Sequence, residues 1–283
     1  MSIDECPRLP DALVARGRLL PDRDAILPLL PKGRTIVEVG VALGGFSRKL
    51  IDIAHPARFI AIDSFRIHDY PMFWGRPTQE IFGGRTHGDH YRAEFADMIA
   101  SGRMQVLESD SGTALEGLAD DSVDIFYVDA DHTYAAVSRE LSSIRRKVRN
   151  DGWIIMNDYT MADVVGQMEP YGVIHATNEF MLAEGWEMTH LALQSYMYCD
   201  VVLRRLPPDR AAAFRAGHVE VPLRHAAPAV TPAVASNDQP IDTVAVLEQE
   251  NAALRRDLAA LRASTSWQLA SPLRTASRLL RGG

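Results

Sequence analysis

Two short apolar runs in this chain each open into a cluster of carboxylate, amide and imidazole side chains. Val123 to Asp129 leads into Asp129-Ala130-Asp131-His132-Thr133-Tyr134, and Trp153 to Met156 leads into Asn157-Asp158-Tyr159. Asp129, Asn157 and Asp158 offer oxygen donors, which suit a hard divalent ion such as Mg²⁺ better than a thiolate-loving metal. Asp131 and His132 stand beside them as candidate general bases, and an unperturbed imidazole titrates near neutrality. Asp and Asn are also frequent helix caps, so each residue has a purely local reading as well.

A second constellation is TIVEVGVALGGFS, Thr35 to Ser47. A β-rich run ends in Glu38-Val39, Gly40 follows, and Gly44 and Gly45 precede a helical pattern from Phe46. Strand, glycine turn and helix start together form a ligand cradle, whose free N–H groups face any electronegative part of the ligand. A dinucleotide fingerprint needs a glycine where Ala42 stands, so pyrophosphate binding is disfavoured. Glu38 instead suits a cationic amino-acid head group. Downstream, Arg58 to Asp63 is a second strand, and its terminal carboxylate, Asp63, is placed to accept from ribose hydroxyls.

The elements that must position these groups follow a βαβ order. Tyr91 to Ala100 is expected as a helix, Met104 to Leu107 as a strand, and Thr113 to Leu118 as a helix. Val123 to Asp129 reads as a strand buried on both faces. A helix follows with Val137, Leu141, Ile144 and Val148 on one face, and Gly152 ends it before the strand at Trp153. Ala176 to Ala183 is a further helix, and Trp186 to Leu193 and Tyr196 to Arg204 form a hairpin joined by a tight turn. In a parallel sheet the two polar clusters share the carboxyl edge, where open α/β sheets bind ligands. Residues 1–33 read as a helical preface, and residues 64–90, rich in aromatics and glycine, as an irregular lid or binding loop. His87 and His90 in that loop are too weak a pattern for a metal site.

At the glycine turn the sequence resembles class I S-adenosylmethionine-dependent methyltransferases, through Glu38-Val39-Gly40-Val41-Ala42-Leu43-Gly44. DADHTY, the helix after it, DGW and NDY extend the likeness to methyltransferase family 24 and related metal-dependent sugar and macrolide O-methyltransferases, over about residues 33–206. The resemblance implies an α/β, Rossmann-like, seven-stranded sheet with a reversed terminal strand. It also implies S-adenosyl-L-methionine as cofactor, with Glu38, Gly40, Gly44, Asp63 and Asp129 around it and Asp110 and Ser111 beside the adenine. The implied activity is O-methylation of a sugar hydroxyl in a surface glycan or glycoside, assisted by a metal held by Asp129, Asn157 and Asp158. A nicotinamide-dependent oxidoreductase is the enzymatic alternative, and a cofactor-binding scaffold of a polysaccharide assembly complex the non-enzymatic one.

The composition changes after Leu206. Residues 207–240 read as a Pro/Ala-rich linker. In 241–263, Val244, Leu247, Asn251, Leu254, Leu258 and Leu261 repeat at coiled-coil spacing, which suits a parallel homodimer. Residues 264–283 carry Arg274, Arg278 and Arg281 without an acid, a basic amphipathic tail suited to anionic lipid or a partner. Its look is that of tails on bacterial enzymes that build surface polysaccharides.

A net charge of −7 argues against nucleic acid as a partner, and 47% hydrophobic with 24% charged residues is ordinary for a globular chain. Cys6 and Cys199 fit neither a disulfide framework nor a zinc site. With neither a signal-like start nor a spanning apolar stretch, the expectation is a cytoplasmic protein, at most peripheral at the inner membrane surface.

Overall fold

The computed structural model describes residues 6–163, 170–194 and 198–217. The chain divides into two units, residues 1–229 and 230–283. The second unit, with the coiled-coil and tail segments, lies outside the described residues, as does most of the linker.

The elements run in order: α1 (Asp11–Val14), β1 (Arg18–Leu20), a 3-10 helix (Arg23–Leu29), β2 (Thr35–Val39), α2 (Gly45–Ala54) and β3 (Arg58–Asp63). A 3-10 turn (Ile67–Asp69), β4 (Met72–Phe73), β5 (Arg76–Pro77) and α3 (Thr78–Phe82) come after these. Next are α4 (His87–Glu94), α5 (Ala96–Ala100), β6 (Met104–Glu108), α6 (Ser111–Glu116), β7 (Val123–Val128), α7 (Tyr134–Lys147) and β8 (Val148–Met156). The series ends with α8 (Val173–Glu184), β9 (Trp186–Ala192), β10 (Asp200–Arg205) and α9 (Pro208–Gly217).

Eight strands form one sheet in the order β1-β9-β10-β8-β7-β2-β3-β6. β2 runs parallel to β3 and β7, β7 to β8, and β3 to β6, while β10 is antiparallel to both β8 and β9. This is the doubly wound sheet with a reversed strand near one edge that the resemblance implies. The eighth strand, β1, comes from the preface and pairs parallel with β9. The preface is therefore not simply helical.

Every residue of β7 is buried, because helices cover both faces. On one face Val37, Ile62, Phe126, Val128, Ile154 and Met156 pack with Leu115, Val137, Leu141 and Phe180. On the other, Ile36, Ala61, Ile125, Tyr127 and Ile155 pack with Ile26, Leu27, Leu50, Tyr91 and Phe95. Burial of such a side chain contributes about 1.5–3 kcal/mol, so this two-sided core dominates the stability.

Several boundaries differ from the periodicity. Phe95 divides the expected Tyr91–Ala100 helix into α4 and α5. Val148, expected on the helix face, begins β8, and Gly152 lies inside that strand. There a β-carbon would stand 2.4 Å from Val148 Cγ2, so the strand's irregular register needs a glycine. The hairpin's second strand starts at Asp200, which lengthens the connection well beyond a tight turn. Residues 64–90 contain regular pieces, with β4 and β5 paired antiparallel and α3 after them. Helix α9 occupies the start of the expected linker and buries Phe214 against the core.

Candidate active site

The glycine turn connects β2 to α2 at the carboxyl edge of the sheet. Gly40 has φ +84°, and its N–H bonds to the Ile62 carbonyl at 2.8 Å. A β-carbon there would lie 2.0 Å from the Asp129 carbonyl oxygen. This glycine therefore lets the β2 turn press against the end of β7, a reason internal to the protein rather than approach to a ligand. Gly44 caps α2 in the left-handed region, and the rings of Phe95 and Tyr91 fill the place of its β-carbon.

Glu38 is buried beneath the turn and accepts a bond from Ser47 of α2, which in turn accepts from the Tyr91 hydroxyl at 2.9 Å. Burial pushes its carboxyl well above the ordinary range, with the Ser47 bond opposing and Asp129 and Asp63 adding to the rise. Asp63 accepts from Val41 N at 2.9 Å through one oxygen and from Phe65 N at 2.7 Å through the other. It thus staples the turn to the end of β3, and each oxygen keeps a second lone pair for a hydroxyl donor. Asp110 caps α6, accepting from Thr113 N at 2.9 Å, and Ser111 is the first residue of that helix. The bonds to Thr113 hold the Asp110 carboxyl below its ordinary value.

The turn is also held from the loop side. Ala42 is left-handed at φ +43°, and its carbonyl lies 2.5 Å from Nε2 of His87, which is fully buried against Phe65 and Phe82. His87 thus supports the cradle from the loop side.

The parallel pairing of Val128 with Met156 brings the two polar clusters together. His132 Nε2 lies 3.6 Å from Asp129 Oδ1 and 3.6 Å from Asp158 Oδ2. Neither distance is a hydrogen bond, so this buried nitrogen has no hydrogen-bond partner among the described residues. Burial alone would lower the His132 pKa, but the nearby Asp129 carboxylate, with the charges of Asp158 and Asp131, raises it overall. Asp158 sits at φ +51°, and burial plus repulsion from Asp129 pushes its carboxyl up to about 6. The His132 ring stacks on Tyr171 at 4.5 Å. Gly172 makes that stack possible, since a β-carbon there would lie 2.2 Å from Tyr134 N.

Asn157 and Asp131 also make local hydrogen bonds. Asn157 is buried, and its amide donates to Asp200 at 3.0 Å and to the Tyr127 hydroxyl at 3.3 Å. These bonds tie its amide nitrogen into a buried network with Asp200 and Tyr127. Asp131 is exposed and accepts from Thr133 N at 2.8 Å, which holds the loop before α7. Among the described residues, no group of three or more His, Cys, Asp or Glu side chains is arranged to hold a metal ion.

Sequence reading missed Arg23, Ser47, Asp200 and Tyr171. Asp200 is fully buried at the start of β10, binds Tyr127, Asn157 and Gln194, and has its carboxyl pushed up to about 7 chiefly by burial. An acid directly before the apolar run Val201 to Leu203 was its one visible signal. Ser47 carried a weaker one, lying one turn into the helix after the glycines.

Comparison with known proteins places these strand ends in context. The model of a family described as a methyltransferase domain matches residues 37–159. A comparison with curated proteins gives no match. Among solved structures, the pyocyanin biosynthetic protein PhzM is 17% identical, with 65% of this chain and 54% of that one covered and a TM-score of 0.42. A putative type 11 methyltransferase from Sulfolobus solfataricus is 16% identical, covering 66% of this chain and 91% of that one, at a TM-score of 0.44. An S-adenosylmethionine-dependent methyltransferase from Aquifex aeolicus is 14% identical, covering 65% and 89%, at 0.43. The matched segment runs from within β2 to Tyr159 and includes the glycine turn, Asp63, Asp110, Asp129, His132 and Asp158. Residues 37–159 thus match a methyltransferase domain, and the sheet around them carries the reversed strand that the sequence resemblance implies.

Proposed function

We propose that this chain O-methylates a hydroxyl of a sugar-bearing acceptor, a surface glycan or a glycoside. The observation that carries this reading is the position of His132. One imidazole nitrogen, 3.6 Å from each of two carboxylates and without a hydrogen bond among the described residues, lies at the edge beside the glycine turn. A hydroxyl is a poor nucleophile at neutral pH and needs a base held where it reacts. Neutral His132 takes the hydroxyl proton on Nε2 as the new oxygen–carbon bond forms, and the Asp129 and Asp158 carboxylates stabilise the imidazolium that results. The sulfur–carbon bond of the donor breaks in the same displacement, leaving S-adenosylhomocysteine. The turn and the end of β3 position the donor: Asp63 accepts from ribose hydroxyls, Asp110 and Ser111 lie toward the adenine, and Glu38 and Asp129 toward the amino-acid end. Asp131, whose carboxylate already holds the loop, is the weaker candidate for the base.

A divalent ion fits part of the donor set. Asp129 and Asp158 would hold it, and their mutual repulsion, which raises Asp158, is what a cation relieves. Asn157 would add its amide oxygen, its nitrogen being held by Asp200. A bound Mg²⁺ would lower the pKa of the acceptor hydroxyl. The heptad-spaced segment 244–261 would pair two chains, and the basic tail would hold them at an anionic membrane surface on the cytoplasmic side. No helix among the described residues is long and apolar enough to cross a membrane.

The test is incubation with S-adenosylmethionine and a panel of glycans and glycosides, with and without Mg²⁺ or chelator, read by mass spectrometry. A gain of one methyl on a sugar oxygen is expected. Methylation confined to nitrogen or carbon acceptors, or binding of NAD in place of S-adenosylhomocysteine, would overturn the reading.

A further inference from the structure

The acids of the site share one arginine, and it comes from outside the matched segment. Arg23 opens the 3-10 helix that comes after β1, next to Asp22, which caps that helix by accepting from Ala25 N at 3.0 Å. The helix packs on α2 through Ile26 and Leu27, and through an ion pair between Asp24 and Lys49 at 2.5 Å. This places the Arg23 guanidinium 4.7 Å from the ring centre of Phe46, in the first turn of α2 directly after the glycine turn.

Around it stand Glu38, Asp129, Asp158 and Asp200, each close enough to exchange charge effects with Arg23. None of them forms an ion pair with it among the described residues. Its hydrogen bond there, to the Tyr127 hydroxyl, is long at 3.4 Å. A guanidinium carries five donors in a planar fork matched to a carboxylate. Most of that fork is unused, and the residue is only partly buried.

We propose that Arg23 is the carboxylate anchor of the S-adenosyl ligand, gripping the α-carboxylate of its amino-acid end while the neighbouring acids face the ammonium group. This rests on the methyltransferase reading of the site. The amino-acid end carries both charges on one carbon, so a pocket lined by acids alone would repel half of it. An arginine poised over the first turn of α2 removes that conflict. It also gives the preface a role in binding: β1 and the 3-10 helix exist to bring one cation to the cradle.

Calorimetry with S-adenosylhomocysteine and with its decarboxylated analogue tests this on the full chain. The wild-type protein is expected to prefer S-adenosylhomocysteine on the order of 10- to 100-fold, the range of a hydrogen bond to a charged group. Arg23→Gln should weaken S-adenosylhomocysteine by that factor, leave the decarboxylated ligand unchanged, and so erase the preference. Arg23→Lys, with a point charge in place of the fork, should keep part of it and stands in where the glutamine variant does not fold. A wild-type protein without preference, or a folded Arg23→Gln that keeps it, overturns the proposal. If the wild-type protein binds neither ligand, the S-adenosyl reading itself falls.

Discussion

Gly40 and Asp129 meet backbone to backbone: the position a β-carbon would take on Gly40 is 2.0 Å from the Asp129 carbonyl oxygen. The same contact joins the cradle to the polar cluster, since Asp129 N also bonds to the Val39 carbonyl at 2.7 Å. The glycine turn and the polar cluster are therefore joined directly through the backbone.

Gly40→Ala should consequently damage both. The added methyl has no flexible neighbour to displace, and φ +84° is strained for any L side chain. The expected cost is about 3 kcal/mol or more, with loss of S-adenosylhomocysteine binding. Thermal unfolding and calorimetry read the two effects, and an unchanged Tm would show that the turn yields more easily than its packing implies.

The roles of His132 and Asp131 separate by substitution. His132→Gln should lower the transfer rate by about 10²- to 10⁴-fold while S-adenosylhomocysteine affinity stays within a few-fold. Asp131→Asn should change the rate much less, since its carboxylate bonds to Thr133 N in the loop. The reverse ranking in single-turnover assays would make Asp131 the base.

Much of this was legible because the strands of a parallel sheet carry continuous apolar runs and end in polar residues. The run VDIFYV and the Glu38-to-Gly44 turn announced both their structure and their edge. The hidden part depended on contacts distant in sequence. Asn157 reads as a ligand beside Asp158, and only the fold shows that Asp200, forty-three positions away, holds its amide nitrogen. Arg23 lies in a segment cut by prolines, and only the packing of that segment on α2 shows where its charge goes. Asp63 and Asp110 had two readings each, and the backbone bonds show the local one in both without excluding a ligand.

Glu140 predicts a pH-dependent stability. It is buried on α7, and burial first, with Asp131 adding and Ser111 opposing, lifts its carboxyl from 4.5 to about 7. Below pH 4.5 the group is protonated in both folded and unfolded chains and costs nothing. Between those values the folded chain holds the proton more tightly, so its contribution falls as pH rises, and above pH 7 the loss is complete. The span corresponds to a loss on the order of 3 kcal/mol. Glu140→Gln should therefore raise Tm at pH 8 and leave it nearly unchanged at pH 4.5. Equal shifts at both pH values would mean that packing, not ionisation, dominates there.

The last prediction concerns where the catalytic domain ends. Helix α9 lies just beyond Leu206 and buries Phe214 in the core, while Arg210 bonds to Glu187 and donates to the Ala12 carbonyl at 2.6 Å. Glu187 is itself buried, and its other ion-pair partner, Arg16, lies at 3.8 Å. Ending the chain at Leu206 strips away the Phe214 side chain and leaves Glu187 poorly paired, for a combined cost of about 2–5 kcal/mol. Ending it at Gly217 keeps both contacts and removes only residues 218–283. The shorter truncation should melt well below the longer one, whereas the longer should bind S-adenosylhomocysteine like the full chain. If residues 244–261 pair two chains, light scattering should give a dimer for the full chain and a monomer for the truncation at Gly217. An unchanged association state after that cut would assign any dimerisation to the catalytic domain, and equal melting of the two truncations would reduce α9 to an ornament of the surface.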